Sequence, residues 1–87
     1  MHLDSVLHLL SHHHQRATYG AVGAVVGLPA RSVMARRPRT PRHSYVVSKR
    51  TGLPTGYSGR EIDDNLHARA GVLRDEASLH AWLRNPR

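Results

Sequence analysis

The chain has 87 residues, with 13 Arg or Lys against 6 Asp or Glu, a formal charge of +7 and no cysteine. That length holds one domain, residues 1–87, with no room for a second core. The missing cysteines exclude disulfides, thiolate metal sites and thiol nucleophiles, so the fold stands on packing alone.

Leu3, Val6, Leu7 and Leu10 recur at helical spacing, with Asp4 or Ser5 placed to cap the start. This first predicted helix ends in the run His12, His13 and His14. Thr18 is the next cap, followed by Val22, Val25 and Val26 on one face and Gly27 as a stop signal. Pro29 suits the first turn of a further helix over residues 30–37, which Pro38 ends. Two short helices joined through Gly27, Leu28 and Pro29 match a helix-turn-helix. The second of them carries Arg31, Ser32, Arg36 and Arg37 and is the candidate recognition helix.

A basic, proline-punctuated loop follows, with Arg39, Arg42 and His43. Residues 44–48 have strand composition, Lys49 and Arg50 fall in a turn, and residues 53–57 read as a return strand confined to an edge by Pro54. Ser58 and Glu61 have capping-box spacing, predicting a fourth helix with Ile62, Leu66 and Ala70 inward and Gly71 as its stop. Asp75 and Glu76 favour the start of a fifth helix, whose docking face is Leu79, Trp82 and Leu83. The expected fold is mainly α: a winged-helix-like helix-turn-helix domain with a short two-stranded hairpin.

Where the charges fall says more than how many there are. Every basic residue except Lys49 is Arg, a bias that a GC-rich genome alone produces. Acids, however, are absent from residues 5–60, a stretch holding nine Arg or Lys, and then crowd into Glu61, Asp63, Asp64, Asp75 and Glu76. A one-signed half of a small domain implies a one-signed face, and its natural partner is a polyanion. Double-stranded DNA is the expected partner. The contacts would come from Arg31, Ser32, Arg36 and Arg37 on the recognition helix, Arg39 and Arg42 in the loop, and Lys49 and Arg50 at the turn. No membrane partner is expected, because the most apolar stretch, residues 21–30, falls short of the ~20 residues a spanning helix needs. The N-terminus does not read as a signal peptide, with Asp4 early and histidines following. A cytoplasmic monomer, associated with the nucleoid if the source is bacterial, is the expectation.

Several motifs then combine. Thr18-Tyr19-Gly20, Ala30-Arg31-Ser32-Val33, Val46-Val47-Ser48, Gly56-Tyr57-Ser58-Gly59 and the stretch 66–72 occur in that order. Together they resemble the DNA-binding domain of the alkylguanine DNA alkyltransferases, and more closely their cysteine-less relatives, the alkyltransferase-like proteins. The likeness covers residues 6–72, about three quarters of the chain. It implies a helix set in the minor groove, an intercalating arginine at Arg31, and Tyr19 pressing on the neighbouring phosphate. Tyr57 and Ser58 would line a pocket for the extruded base, with His43, Ser44 and Tyr45 at its catalytic-motif side. Flipping a base costs a few kcal/mol, least where a lesion has already weakened pairing. A planar guanidinium can fill the vacated gap by stacking and hydrogen bonding at once.

The chain also departs from that family. The catalytic proline-cysteine-histidine-arginine-valine motif is replaced by Pro41-Arg42-His43-Ser44-Tyr45-Val46. Anchoring on Pro41 puts Arg42 at the cysteine position; anchoring on Val46 and Val47 puts His43 there and Tyr45 at the arginine. In both registers the thiolate that alkyl transfer needs is missing, so no enzyme activity is expected. Met34 stands where the family has a glycine, and the stretch 31–41 is shorter and lacks the family's asparagine.

Plainer roles stay open for each residue: Tyr19 as a half-buried cap, Arg31 as an ordinary phosphate contact, Tyr57 as core beneath the hairpin. His8 and His12 share a helix face, with His13 or His14 nearby, but imidazoles without a carboxylate or cysteine are a poor set for structural or catalytic zinc. His43 beside Ser44 is no hydrolytic pair, since no acid lies near in sequence to orient the imidazole. No cofactor or metal is expected. The leading expectation is a non-enzymatic sensor of alkylated or otherwise damaged guanine that flips the base and marks it for repair proteins. The alternatives are a winged-helix regulator without a pocket, or a protein-interaction module built on the Trp82 face.

Overall fold

The structure, a computed structural model, describes residues 2–87. Helix α1 (Leu3–His13) buries Val6, Leu7 and Leu10, as the apolar spacing requires. His2 occupies its N-cap without a side-chain hydrogen bond, and Asp4 instead sits in the first turn, where its charge faces the positive end of the helix. Helix α2 (Tyr19–Val26) begins where Thr18 accepts a hydrogen bond from the Ala21 N–H (3.1 Å) and stops at Gly27, whose φ of 79° suits glycine. Helix α3 (Glu76–Arg84) opens with a reciprocal cap between Asp75 and Ser78 and buries Leu79. It packs chiefly against α2.

The predicted hairpin does not form. A three-stranded, wholly parallel sheet takes its place, with β1 (Arg16–Thr18) between β2 (Val46–Val47) and β3 (Val72–Leu73). Ala17 pairs with Val46 and Thr18 with Val47 on one side; Arg16 pairs with Val72 and Ala17 with Leu73 on the other. The reason is visible in β2, where consecutive residues are both buried rather than alternating, the mark of a strand covered on both faces. Pro54 has no N–H to give a return strand. The chain instead turns on Ser48, whose N–H donates to the Leu53 carbonyl (2.9 Å) while its own carbonyl accepts from Gly52 (2.8 Å).

Two predicted helices are also corrected. The recognition segment is a 3-10 turn at Ala30–Ser32 continued by turns, with N–H donors of Ser32, Val33, Ala35 and Arg37 each reaching back three residues. Only Val33 is buried there, too small an apolar face to hold a regular helix by packing. The predicted fourth helix is a 3-10 turn at Gly59–Glu61, carrying the expected Ser58–Glu61 box, followed by isolated turns. Asp63 ties its carboxylate to the Asn65 N–H (2.7 Å) and its own N–H to Ser44 (3.1 Å), local bonds that compete with a helical ladder. Leu66 alone of that stretch is buried; it joins Val6, Leu10, Ala21, Val22, Val33, Tyr45, Val46 and Leu79 in the core. No helix among the described residues is long and apolar enough to cross a membrane.

Candidate nucleic-acid interface

The segment after α2 is pressed against that helix. A Cβ on Gly23 would stand 2.4 Å from the Leu28 carbonyl oxygen, so only glycine admits the approach. This brings Ala30, Arg31, Met34 and Ala35 opposite Tyr19, the first residue of α2. From the other side, the Thr55 N–H donates to the Tyr19 hydroxyl (2.9 Å), fastening the 53–57 loop over the same ring. The Tyr19 O–H proton is left for a further acceptor.

Between these walls lies an open cleft of about 360 Å³, lined by Tyr19, Ala30, Arg31, Met34, Ala35 and Thr55. A second cleft of about 200 Å³ shares Tyr19, Met34, Ala35 and Thr55 with it and adds Arg37, Arg39 and Tyr57. The two form one groove, apolar at the Arg31 end and cationic at the other. Arg39 lies over Gly56, where a Cβ would stand 3.2 Å from its Nη2, and φ at Gly56 is 78°. Tyr57 donates its hydroxyl to the His43 carbonyl (3.1 Å). Burial first, then Tyr19 and Glu61, push its phenol above the ordinary range against the pull of Arg39, keeping it neutral.

The expected contact residues divide. Arg31, Arg37, Arg39 and Tyr19 meet at the groove. Ser32 and Arg36 line a cleft of about 440 Å³ on the far flank of the same segment, with Leu3, Leu28 and Val33. Arg37 borders both and pairs with Asp4 of α1, the one ion pair among the described residues. Arg42, Lys49 and Arg50 are exposed and border neither half of the groove. The turn bearing the last two is pinned through its backbone, with the Lys49 carbonyl accepting from Arg74 (2.9 Å) and the Arg50 N–H donating to Ser48 (3.2 Å).

The expected base pocket divides more sharply: of its residues, only Tyr57 lines the groove. Ser44 is wholly buried, donating to the Pro41 carbonyl (2.7 Å) and accepting from the Asp63 N–H. Tyr45 is core, because its carbonyl accepts from the Ala17 N–H (3.0 Å) as β2 begins and its ring stacks on His14. Its hydroxyl is buried with no hydrogen-bond partner, and burial, with the Asp63 charge second, pushes the phenol up to about 12. His43 is half-buried with Nδ1 3.0 Å from the Pro38 carbonyl, and Ser58 caps the following turn.

Met34 stood out in the sequence only as the residue at the family's glycine position; Thr55, central to the groove, was not legible, and neither was Arg16. That buried side chain donates from Nη1 to the Gly52 carbonyl (3.0 Å) and from Nη2 to the Arg69 and Ala70 carbonyls (3.2 and 3.3 Å). No carboxylate pairs with it among the described residues, and its Nε is buried without a partner. It clamps the turn after β2 to the approach of β3, and so fixes the loop that carries Thr55. The only sequence signal was an arginine between polar and apolar neighbours at the start of an unrecognised strand.

No group of three or more His, Cys, Asp or Glu side chains converges as a metal site among the described residues. Comparison with protein-family models, with curated proteins and with solved structures finds no match to this chain.

Proposed function

We propose that this chain is a non-catalytic DNA-binding domain that holds an extruded, damaged base in the groove between Tyr19 and residues 30–35. The observation that carries the reading is an aromatic-walled apolar cleft with arginines at both ends, set in a segment free of acids. Its size falls within the ~300–1,000 Å³ of small-molecule sites. An aromatic wall suits a nucleobase, which stacks on any π-face, and the guanidinium groups suit the flanking phosphates. The motif likeness to the alkyltransferase-like proteins points to alkylated guanine as the base.

In this reading Arg31 fills the gap left in the stack, Arg39 and Arg37 engage phosphate, and Tyr57 borders the flipped nucleotide. Helix α2 and the turns of residues 28–37 present the groove to the duplex, and the exposed Lys49 and Arg50 add positive charge outside it. With no nucleophilic cysteine the bound lesion is marked rather than repaired, and repair proteins are the partners that read the mark. If about five phosphates are neutralised, log affinity falls with log salt at a slope of roughly −4 to −5.

The test is competition binding of wild type and Arg31→Ala to matched duplexes with and without one alkylguanine. Wild type should prefer the lesion by about 1–3 kcal/mol, and Arg31→Ala should lose that preference while keeping most plain-duplex affinity. Equal affinity of wild type for both duplexes would replace the lesion sensor with a DNA-binding regulator that reads groove shape and has no lesion pocket.

A further inference from the structure

The histidines of α1 take no part in the groove. His8 and His12 are both exposed and stand four residues apart, so they share one helix face. Their rings lie 21° from parallel with centroids 5.9 Å apart. Within the run His12, His13 and His14, the His12 and His13 rings meet edge-on at 4.9 Å and each then has a different further partner. His12 turns toward His8, His13 packs edge-on against Trp82 at 5.6 Å, and His14, at the left-handed end of the helix, stacks on Tyr45 at 6.1 Å. His8 and His12 are therefore an exposed imidazole pair on a rigid backbone, and among the described residues no hydrogen bond holds either ring.

We propose that His8 and His12 form a two-imidazole surface chelate for a divalent transition-metal ion, Cu²⁺ in preference to Ni²⁺ or Zn²⁺. Imidazole nitrogen suits all three ions, and the general affinity order places copper highest. Two nitrogens each about 2 Å from one ion must stand about 3 Å apart. The rings reach that spacing by tilting about their soft outer torsions while the helix holds their Cβ atoms in register. His12 lies in the last turn of α1, toward the negative end of the helix dipole, which favours a cation. The net charge of +7 works against any cation, which narrows the choice further toward the strongest binder. With no third protein ligand converging on the pair among the described residues, water fills the remaining positions. The site then captures exchangeable metal; it does not build the fold.

The experiment uses untagged protein carrying His2→Ala, which removes the imidazole beside the chain's first residue as a competing copper ligand. Trp82 is the only tryptophan, and it is separated from His12 by the His13 ring alone, so its fluorescence reports copper bound nearby. Titration with CuCl₂ should give saturable quenching at one equivalent. His8→Gln should weaken it by about tenfold or more, and His14→Gln should leave it unchanged. Absence of saturable quenching, or a loss from His14→Gln equal to or greater than that from His8→Gln, overturns the proposal.

Discussion

Tyr45 and Tyr57 carry the same side chain and the same expected role, and the fold gives them different surroundings. Tyr45 immediately precedes β2, and because β2 joins the covered face of a parallel sheet its ring is driven into the core. Tyr57 follows Gly56 in a loop that pairs with no strand, and its ring stays half-buried at the groove. The comparison shows that the position of a tyrosine relative to the central sheet, more than its place in a motif, decides whether it packs in the core or stays at the groove.

The sharpest way to break that contrast is to empty the core position. Tyr45→Ala should cost about 3–5 kcal/mol in denaturant unfolding, whereas Tyr57→Ala should cost far less and register chiefly in DNA affinity. Tyr45→Phe should be close to neutral at pH 7, because the buried hydroxyl it removes has no well-formed hydrogen bond and only Asp63 lies near it. The same burial is readable by pH. A phenol that loses its proton near 10 when unfolded and at about 12 when folded makes the folded state bind more protons in that interval. Stability should therefore fall as pH rises from 10 to about 12, and Tyr45→Phe should remove that fall; an unchanged alkaline profile in the variant would contradict the burial.

Next in size, Gly23→Ala would force a methyl against the Leu28 backbone and push residues 28–37 off α2. A destabilisation of about 1–3 kcal/mol is expected, together with loss of lesion preference as the groove wall moves; wild-type stability would show the approach to be looser than described. Smallest, Tyr19→Phe removes the acceptor for the Thr55 N–H and should cost about 0.5–1.5 kcal/mol, measured by thermal unfolding, while the ring wall stays in place.

The three α-helices were legible because their apolar spacing and caps, at Thr18 and Asp75, agree. Of the sheet only β2 was legible, within the strand expected over residues 44–48; β1 starts on an arginine, β3 has only two residues, and the parallel pairing of all three gave no local signal. Residues 30–37 and 62–70 were punctuated like helices by Pro29, Pro38 and Gly71, but each buries a single large side chain, Val33 or Leu66, and punctuation without a packing face does not make a helix. At the groove, Tyr19, Arg31, Arg37, Arg39 and Tyr57 could be named from residue type and motif. Ala35 and Thr55 could not, and Ala30 and Met34 only as motif positions, because a wall of small and flexible residues acquires meaning only when Thr55 is tied to Tyr19 across the chain.

The most direct measurement is a map of backbone amide chemical-shift changes as a lesion-bearing duplex is added to isotopically labelled protein. The account predicts the largest changes at Tyr19, Arg31, Met34, Thr55 and Tyr57, with Ser44, Tyr45 and α3 nearly still. Largest changes on α3 around Trp82 and Leu83, with the groove unmoved, would contradict it.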